Sequence, residues 1–244
     1  MGIFRNRPTA TADANYSDAA PGRHGVYGDA YVVPVADGWK NAADEGSYYV
    51  GTNAALGTPV AGHAAPALAD NDDTPTKALL HIFNTGQRNI AMDYVKLQFE
   101  TVNASSTSTG FTMFVDNMGQ TGRTSAGTSV VPVNTNSGCS VATGAACYFG
   151  AVATSVTANL AKKIGQWTAR PVIAVTEDQI LFRFGQGAAL NAHGVITGTT
   201  VASILVSVAP VVIAPGGNFY LCENYPSGAI TAATYEFEFG FVER

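Results

Sequence analysis

The chain has little charge for its length. Charged residues make up 13% of its 244 residues, about half the share of roughly 25% found in a typical soluble domain. Coiled coils and helical bundles need Glu, Lys, Arg and Leu in quantity, so this composition excludes them. The 13 Lys and Arg and the 18 Asp and Glu give a net charge of −5. We expect no nucleic-acid partner, since such a partner is bound through a basic patch.

Cysteine is scarce as well, with three residues in the chain. An odd number argues against a disulfide framework, and a structural zinc site needs four closely spaced ligands, so we expect no metal. Cys139 and Cys147 lie close enough in sequence to pair under oxidation. The simpler interpretation is that these two and Cys222 are free thiols packed as small hydrophobic side chains.

Long apolar runs are missing. The longest, residues 201–215, is interrupted by Ser203, Ser207 and Pro210 and is shorter than the ~20 apolar residues of a membrane-spanning helix. The N-terminal residues contain no apolar core of a secretory signal, and Asn6 stands where a myristoylation motif has Ser or Thr. We therefore expect synthesis in the cytoplasm and no membrane partner.

What the chain does contain is a series of short strand patterns separated by Gly, Pro and Asn. Residues 90–101 alternate apolar and polar side chains. Residues 235–241 alternate most strictly, which predicts that four aromatic rings are buried while Glu236 and Glu238 face water. The other predicted strands are 31–35, 48–50, 77–84, 111–116, 130–133, 145–160, 167–175, 179–184, 201–213 and 218–223, the last two as a hairpin.

These patterns predict an all-β fold. Many short strands, long loops and the lack of an amphipathic helix longer than two turns are typical of a sandwich or barrel. We expect one antiparallel β-sandwich over residues 31–244, in the form of a jelly roll, because long loops suit connections that cross between sheets. Residues 1–30 have neither strand nor helix periodicity, so we expect an extended N-terminal arm.

Motifs for catalysis are absent from the sequence. It contains no phosphate-binding loop, no dinucleotide fingerprint and no nucleophile elbow. An enzyme such as a glycosidase or an esterase is therefore the least favoured class, and we expect no cofactor and no small-molecule substrate. The histidines, expected to be surface or hydrogen-bonded core residues, are His24, His63, His81 and His193.

Two acidic features have a chemical interpretation beside a plainer one. Residues 70–73 offer oxygen ligands for calcium, but the glycine and the distal glutamate of a calcium loop are missing, which favours a solvated turn. Glu236 and Glu238 lie about 7 Å apart along one strand face, a separation that suits an inverting glycosidase. No further residues support that chemistry, so a solvent-facing strand is the preferred interpretation.

Several segments of the chain resemble structural proteins of tailed bacteriophages. Residues 211–221 and 235–244, the second of which ends in a Tyr-Glu-Phe-Glu-Phe strand and Glu-Arg, resemble the C-terminal end of those proteins. Residues 84–97 and 131–136 are similar to earlier segments of the same class. The resemblance extends loosely over residues 77–244. It implies a single-domain β-sandwich and a virion component, with no catalytic residues.

The resemblance and the composition lead to the hypothesis of a capsid decoration or cement protein. Such a subunit would lie on the capsid surface and contact the major capsid protein and other copies of itself, as a homotrimer. Extended arms become ordered on contact with neighbouring subunits, and closed symmetry multiplies such contacts. The partner-contact residues that we predict in the arm are Phe4, Arg5, Arg7, Tyr16, Arg23 and Tyr27.

The alternative hypothesis is a tail or head-fibre module that binds a host glycan or receptor. Aromatic side chains supply large, rigid contact surfaces with a polar tip, and Trp39, Tyr48 or Trp167 would provide the platform. The plainer interpretation is that these rings, like that of Tyr49, pack against neighbouring side chains.

Overall fold

Strands dominate the chain, as the alternating patterns predict. The computed structural model describes residues 22–24, 30–32, 38–62, 77–102, 109–116, 123–125, 127–154, 161–170, 176–185, 203–224 and 233–244. The chain divides into two compact units, Met1–Asn41 and Ala42–Arg244. The predicted boundary between an arm and a domain at residue 30 stays a prediction.

The described residues contain one short helix and seventeen strands. The helix α1 covers Gly38–Asp44. In the first unit, β1 and β2 form an antiparallel pair. The strands are β1 (Gly22–His24), β2 (Ala30–Val32), β3 (Tyr48–Thr52), β4 (Val60–Ala61), β5 (Lys77–Asn84), β6 (Ile90–Thr101), β7 (Thr109–Asp116), β8 (Arg123–Ser125), β9 (Thr128–Val130), β10 (Val133–Asn134), β11 (Ala145–Thr154), β12 (Lys162–Arg170), β13 (Gln179–Phe184), β14 (Ser203–Val208), β15 (Val212–Ile213), β16 (Asn218–Asn224) and β17 (Thr234–Glu243).

The strands of the second unit form two sheets that pack face to face. The first sheet has the order β10-β3-β17-β6-β13-β14, with β4 beside β17 and β15 beside β6. The second has the order β12-β7-β16-β5-β11-β8, with β9 beside β11. Neighbouring strands are antiparallel except β13 and β14, which are parallel. The predicted all-β sandwich is confirmed, whereas its jelly-roll form stays a prediction.

Aromatic rings from both sheets meet in the core. Phe149 of the second sheet stacks on Phe237 of the first, with ring centroids 3.7 Å apart. Phe111 meets Phe182 edge to face at 5.3 Å. Such pairs add to the hydrophobic stabilisation that each buried ring provides, so these contacts hold the two layers together.

The alternation of β17 is confirmed for its aromatic residues. Tyr235, Phe237, Phe239 and Phe241 are all buried. In the neighbouring strand, a Cβ on Gly51 would overlap the Phe239 ring, so glycine makes room for that side chain. Glu236 and Glu238 alternate with these rings on the opposite face of the strand, as predicted, although both are half-buried rather than fully exposed.

The predicted hairpin of residues 201–213 and 218–223 is wrong. Residues 201–213 contribute β14 and β15 to the first sheet, whereas β16 lies in the second sheet between β5 and β7. Pro210 follows β14, where its missing N–H cannot continue a ladder. The turn at Gly216, which has a φ of 77°, then leads the chain across to the other sheet. Pro132 likewise separates β9 from β10 within the predicted strand 130–133.

Candidate interaction site

The outer face of the first sheet carries a cavity of about 340 Å³. Since the aromatic residues of β17 point into the core, period two places Glu236 and Glu238 on the outer face. Their partners in the ladder are Gln98 and Lys96 of β6, and these four side chains form the floor. One wall comes from the end of β3 and the loop that follows it, through Thr52, Asn53, Ala55 and Leu56.

Hydrogen bonds hold the two carboxylates on this floor. The backbone N–H of Gly57 donates to Glu236 Oε1, and the Tyr94 hydroxyl donates to Glu238 Oε1. Burial, together with the bond to Glu238, raises the pKa of Tyr94, so this hydroxyl remains a donor at neutral pH. Within the described part of the chain, neither Oε2 atom accepts a hydrogen bond.

Two donors at the cavity also lack partners among the described residues. Asn53 Oδ1 accepts a hydrogen bond of 2.7 Å from the Phe237 N–H, which fixes the amide group. Its Nδ2 atom is buried and makes no hydrogen bond there. The Lys96 ammonium forms no ion pair within the same residues. A buried donor without an acceptor is unfavourable, so a ligand acceptor placed against Asn53 Nδ2 would be stabilised there.

Beside the cavity, a β-bulge brings a buried carboxylate to the outer face. The register of β6 and β17 shifts next to Gly240, and Asp93 has no partner in the ladder. The Tyr48 hydroxyl donates to Asp93 Oδ2 at 2.6 Å, and Arg183 Nε lies 3.7 Å from Asp93 Oδ1. Burial, reinforced by Asp93, raises the pKa of Tyr48. The Tyr48 hydroxyl is therefore already engaged within the protein.

Two aromatic residues of the predicted glycan platform, Tyr48 and Trp167, do not come together. Tyr48 lies on the first sheet, whereas Trp167 belongs to β12 of the second sheet. The Trp167 ring packs against the core, 6.2 Å from Phe182. Tyr49 points inward and stacks on Phe241 at 5.7 Å, which confirms the plainer interpretation for that ring. The side chain of Trp39 lies outside the described residues.

A second polar cluster is fully buried in the other sheet. Asp116 of β7 accepts hydrogen bonds of 2.9 Å from Asn218 Nδ2 and from the Tyr220 hydroxyl. Asn218 Oδ1 lies 2.9 Å from His81 Nε2, and the His81 ring stacks on Tyr220. The prediction of a hydrogen-bonded core histidine is confirmed for His81, and this cluster serves packing rather than ligand access.

Alkaline pH is expected to destabilise the fold. Burial, with a nearby carboxylate, raises the pKa of Tyr48, Tyr94 and Tyr220 above the ordinary value of 10.0. These hydroxyls stay neutral in the folded chain while those of the unfolded chain ionise. The contribution of these three hydroxyls to stability is therefore constant below about pH 9 and falls as the pH rises past about 10. Urea unfolding across this pH range measures the decrease in the free energy of unfolding. Tyrosinate absorbance should show that a subset of the tyrosines ionises only when the protein unfolds.

A decline that is equally steep in Tyr220→Phe would contradict this assignment for Tyr220. If all ten tyrosines titrated near pH 10 in the folded protein, the raised pKa values assigned to Tyr48, Tyr94 and Tyr220 would be contradicted together.

Three exposed valines mark the β10 edge of the first sheet. Val131, Val133 and Val141, which we call the valine edge, are 81%, 64% and 61% exposed. The segment is fixed to β3: Val133 pairs with Val50, and the Tyr49 hydroxyl donates to the Val141 carbonyl at 3.3 Å. Exposed apolar side chains on an edge strand are typical of a protein–protein contact.

Only some of the remaining predicted site residues lie in the part of the chain that the structure describes. Cys147 and Cys222 are buried thiols, as predicted, Cys139 is half-buried, and none of the three is in a disulfide. Arg23 lies in β1.

In the part of the chain that the structure describes, no group of three or more His, Cys, Asp or Glu is placed to hold a metal ion. No helix in that part is long and apolar enough to cross a membrane. The predictions outside the described residues are Phe4, Arg5, Arg7, Tyr16, Tyr27, His63, residues 70–73 and His193.

The fold and the two surface features define an all-β sandwich with a polar cavity on the outer face of one sheet and exposed valines at the β10 edge of the same sheet. No protein-family profile, curated protein or solved structure matches the chain.

Proposed function

We propose that the chain is a structural subunit of a tailed-phage particle, a decoration or cement protein on the capsid surface. It would contact the major capsid protein and other copies of itself, as a homotrimer. The observation that carries the proposal is the valine edge, because one exposed valine lies in the edge strand β10 and two more lie in the segments that flank it. Val131 and Val133 also belong to residues 131–136, one of the segments that resemble phage structural proteins.

The strand order supports a jelly roll, a fold of viral capsid proteins and of lectins. Eight strands, numbered one to eight in chain order, are β3, β5, β6, β7, β12, β13, β16 and β17. The first sheet contains them in the order 1-8-3-6 and the second in the order 2-7-4-5. This order agrees with the one expected of two interlocked Greek keys, with β8, β10, β11 and β14 as additional strands at the flanks.

The segments that carry the resemblance also meet at one end of the sandwich. Asn84 Nδ2 donates to the Ile213 carbonyl at 2.9 Å. Asn89 and Arg244 exchange two backbone hydrogen bonds of 2.7 and 2.8 Å. Residues from 84–97, 211–221 and 235–244 are thus joined directly by hydrogen bonds. This supports the view that these segments resemble phage structural proteins because they form one contact region of the fold.

The valine edge suits contact between rigid subunits. Burying a valine side chain contributes about 1.5–3 kcal/mol at most, so three valines give several kcal/mol for each interface. The loop is already fixed, since Asn134 Nδ2 donates to the Gly46 carbonyl at 2.6 Å, and little conformational freedom is lost on binding. With few charges in the chain, the association is expected to depend weakly on salt.

Changing Val133→Lys is expected to disrupt self-association. A charge placed at the centre of an apolar contact loses its hydration without gaining a partner, so the dissociation constant should rise at least about tenfold. Sedimentation velocity measures the assembly of both proteins. The matched control is Val212→Lys, since Val212 is 60% exposed but lies on β15, away from the valine edge.

Binding to the particle is tested with heads from the phage that encodes the chain. The wild-type protein is expected to co-sediment with heads stripped of it, and Val133→Lys is expected to bind more weakly. A wild-type protein that stays monomeric and remains in the supernatant would overturn the proposal.

A further inference from the structure

We propose that the cavity on the outer face of the first sheet binds a neutral saccharide unit. This inference goes beyond the proposed structural role and does not depend on it. It rests on the chemistry of four side chains, Asn53, Lys96, Glu236 and Glu238, rather than on the aromatic platform that the sequence predicts.

The cavity presents donors and acceptors side by side. The Oε2 atoms of Glu236 and Glu238 are free to accept hydrogen bonds within the described chain. Asn53 Nδ2 and the Lys96 ammonium are free to donate them. Each hydroxyl of a saccharide both donates and accepts, so adjacent hydroxyls can satisfy a carboxylate and an amide or ammonium group together.

The mixture of charges disfavours ionic ligands. A cation attracted by Glu236 and Glu238 meets the ammonium of Lys96, which is the direct ladder partner of Glu238. An anion attracted by Lys96 meets two carboxylates. Like charges brought close together without water oppose binding, whereas a neutral polyol encounters no such repulsion.

The dimensions and the rim also fit a small saccharide. A volume of about 340 Å³ lies at the lower end of the range of small-molecule pockets, roughly 300–1,000 Å³. At the rim, Leu56 is 91% exposed, and nothing in the fold requires an apolar side chain there. Its methyl groups provide a surface for the C–H face of a sugar ring.

The polar groups are held in place before a ligand arrives. Gly57 and Tyr94 each donate to one carboxylate, and the Phe237 N–H fixes the amide of Asn53. Because the side chains are already oriented, binding loses less conformational entropy than it would at a flexible surface.

The test uses the full chain and a panel of methyl glycosides of glucose, galactose, mannose and N-acetylglucosamine. Binding is followed by titration calorimetry and by amide chemical shifts. We expect at least one glycoside to bind with a dissociation constant of about 1 mM or below. Sialyl-lactose and a trilysine peptide serve as anionic and cationic competitors of comparable size.

Variants assign any binding to the cavity. Glu238→Gln and Lys96→Met should each weaken it at least about tenfold, whereas Glu45→Gln, at an exposed turn outside the cavity, should leave it unchanged. Leu56→Ser removes only an exposed side chain, so the fold is retained, and it should weaken binding about threefold.

Three results would each overturn the inference: no glycoside binds, only a charged probe binds, or all folded cavity variants bind like the wild type. Val133→Lys separates this inference from the proposed function, since that variant should lose self-association and keep saccharide binding.

Discussion

Replacing Asp116 by alanine is expected to lower the free energy of unfolding by about 3–5 kcal/mol. Asp116 is 5% exposed and accepts hydrogen bonds from Asn218 and Tyr220, which are fully buried. The variant removes the acceptor of both donors in a region that water does not reach. Each donor that loses its acceptor there costs about 1–3 kcal/mol.

Urea unfolding of Asp116→Ala, followed by circular dichroism, measures this loss. Asp44→Ala is the matched control, because Asp44 is an exposed carboxylate, and its removal should change stability by no more than about 0.5 kcal/mol. Tyr220→Phe deletes one of the two donors and should cost about 1 kcal/mol. If Asp116→Ala cost no more than Asp44→Ala, the buried cluster would not contribute to stability.

Phe182→Ala is expected to cost about 3–5 kcal/mol of unfolding free energy. Phe182 belongs to the first sheet, and its ring meets Phe111 and Trp167 of the second sheet at 5.3 and 6.2 Å. Truncation leaves a cavity where the two layers join. The sheets cannot close over it without shifting the strands that carry the other aromatic rings.

Leu181→Ala is the control for this variant. Leu181 precedes Phe182 in β13 but is only half-buried, on the opposite face of the strand, so its truncation should cost about 1 kcal/mol or less. Thermal unfolding of both variants gives the comparison. Equal losses would contradict the assignment of Phe182 to the contact between the sheets.

Alternation in the sequence predicts individual strands well where one face is buried. Residues 90–101 and 235–241 were recognisable because apolar and polar side chains alternate without interruption, and β6 and β17 match them. Pairing is different, because it depends on contacts between distant residues. The hairpin predicted from the proximity of 201–213 and 218–223 failed, since β16 pairs with β5 and β7 instead.

The candidate site illustrates the same limit. Period two predicts that Glu236 and Glu238 share a face, and they do. It does not reveal that Lys96 lies opposite Glu238 or that Asn53 bonds to the backbone of β17. Those residues are distant in sequence and lie on different strands, so only the strand order brings them together.

The aromatic residues near β3 show why single rings are hard to assign. Tyr48 and Tyr49 are neighbours of the same type, yet one faces outward to Asp93 and the other stacks on Phe241 in the core. In a strand of five residues with aromatic residues on both faces, the sequence carries no signal for which face is inner.

The central position of β17 has a consequence for biosynthesis. This strand lies between β3 and β6, so the first sheet stays divided until residues 234–243 have left the ribosome. A nascent chain that stops earlier leaves β3 and β6 without the strand that pairs with both of them. Unpaired strand edges and exposed apolar surface of that kind lead to aggregation or chaperone binding. Prematurely terminated products would thus be removed before they could compete with complete ones.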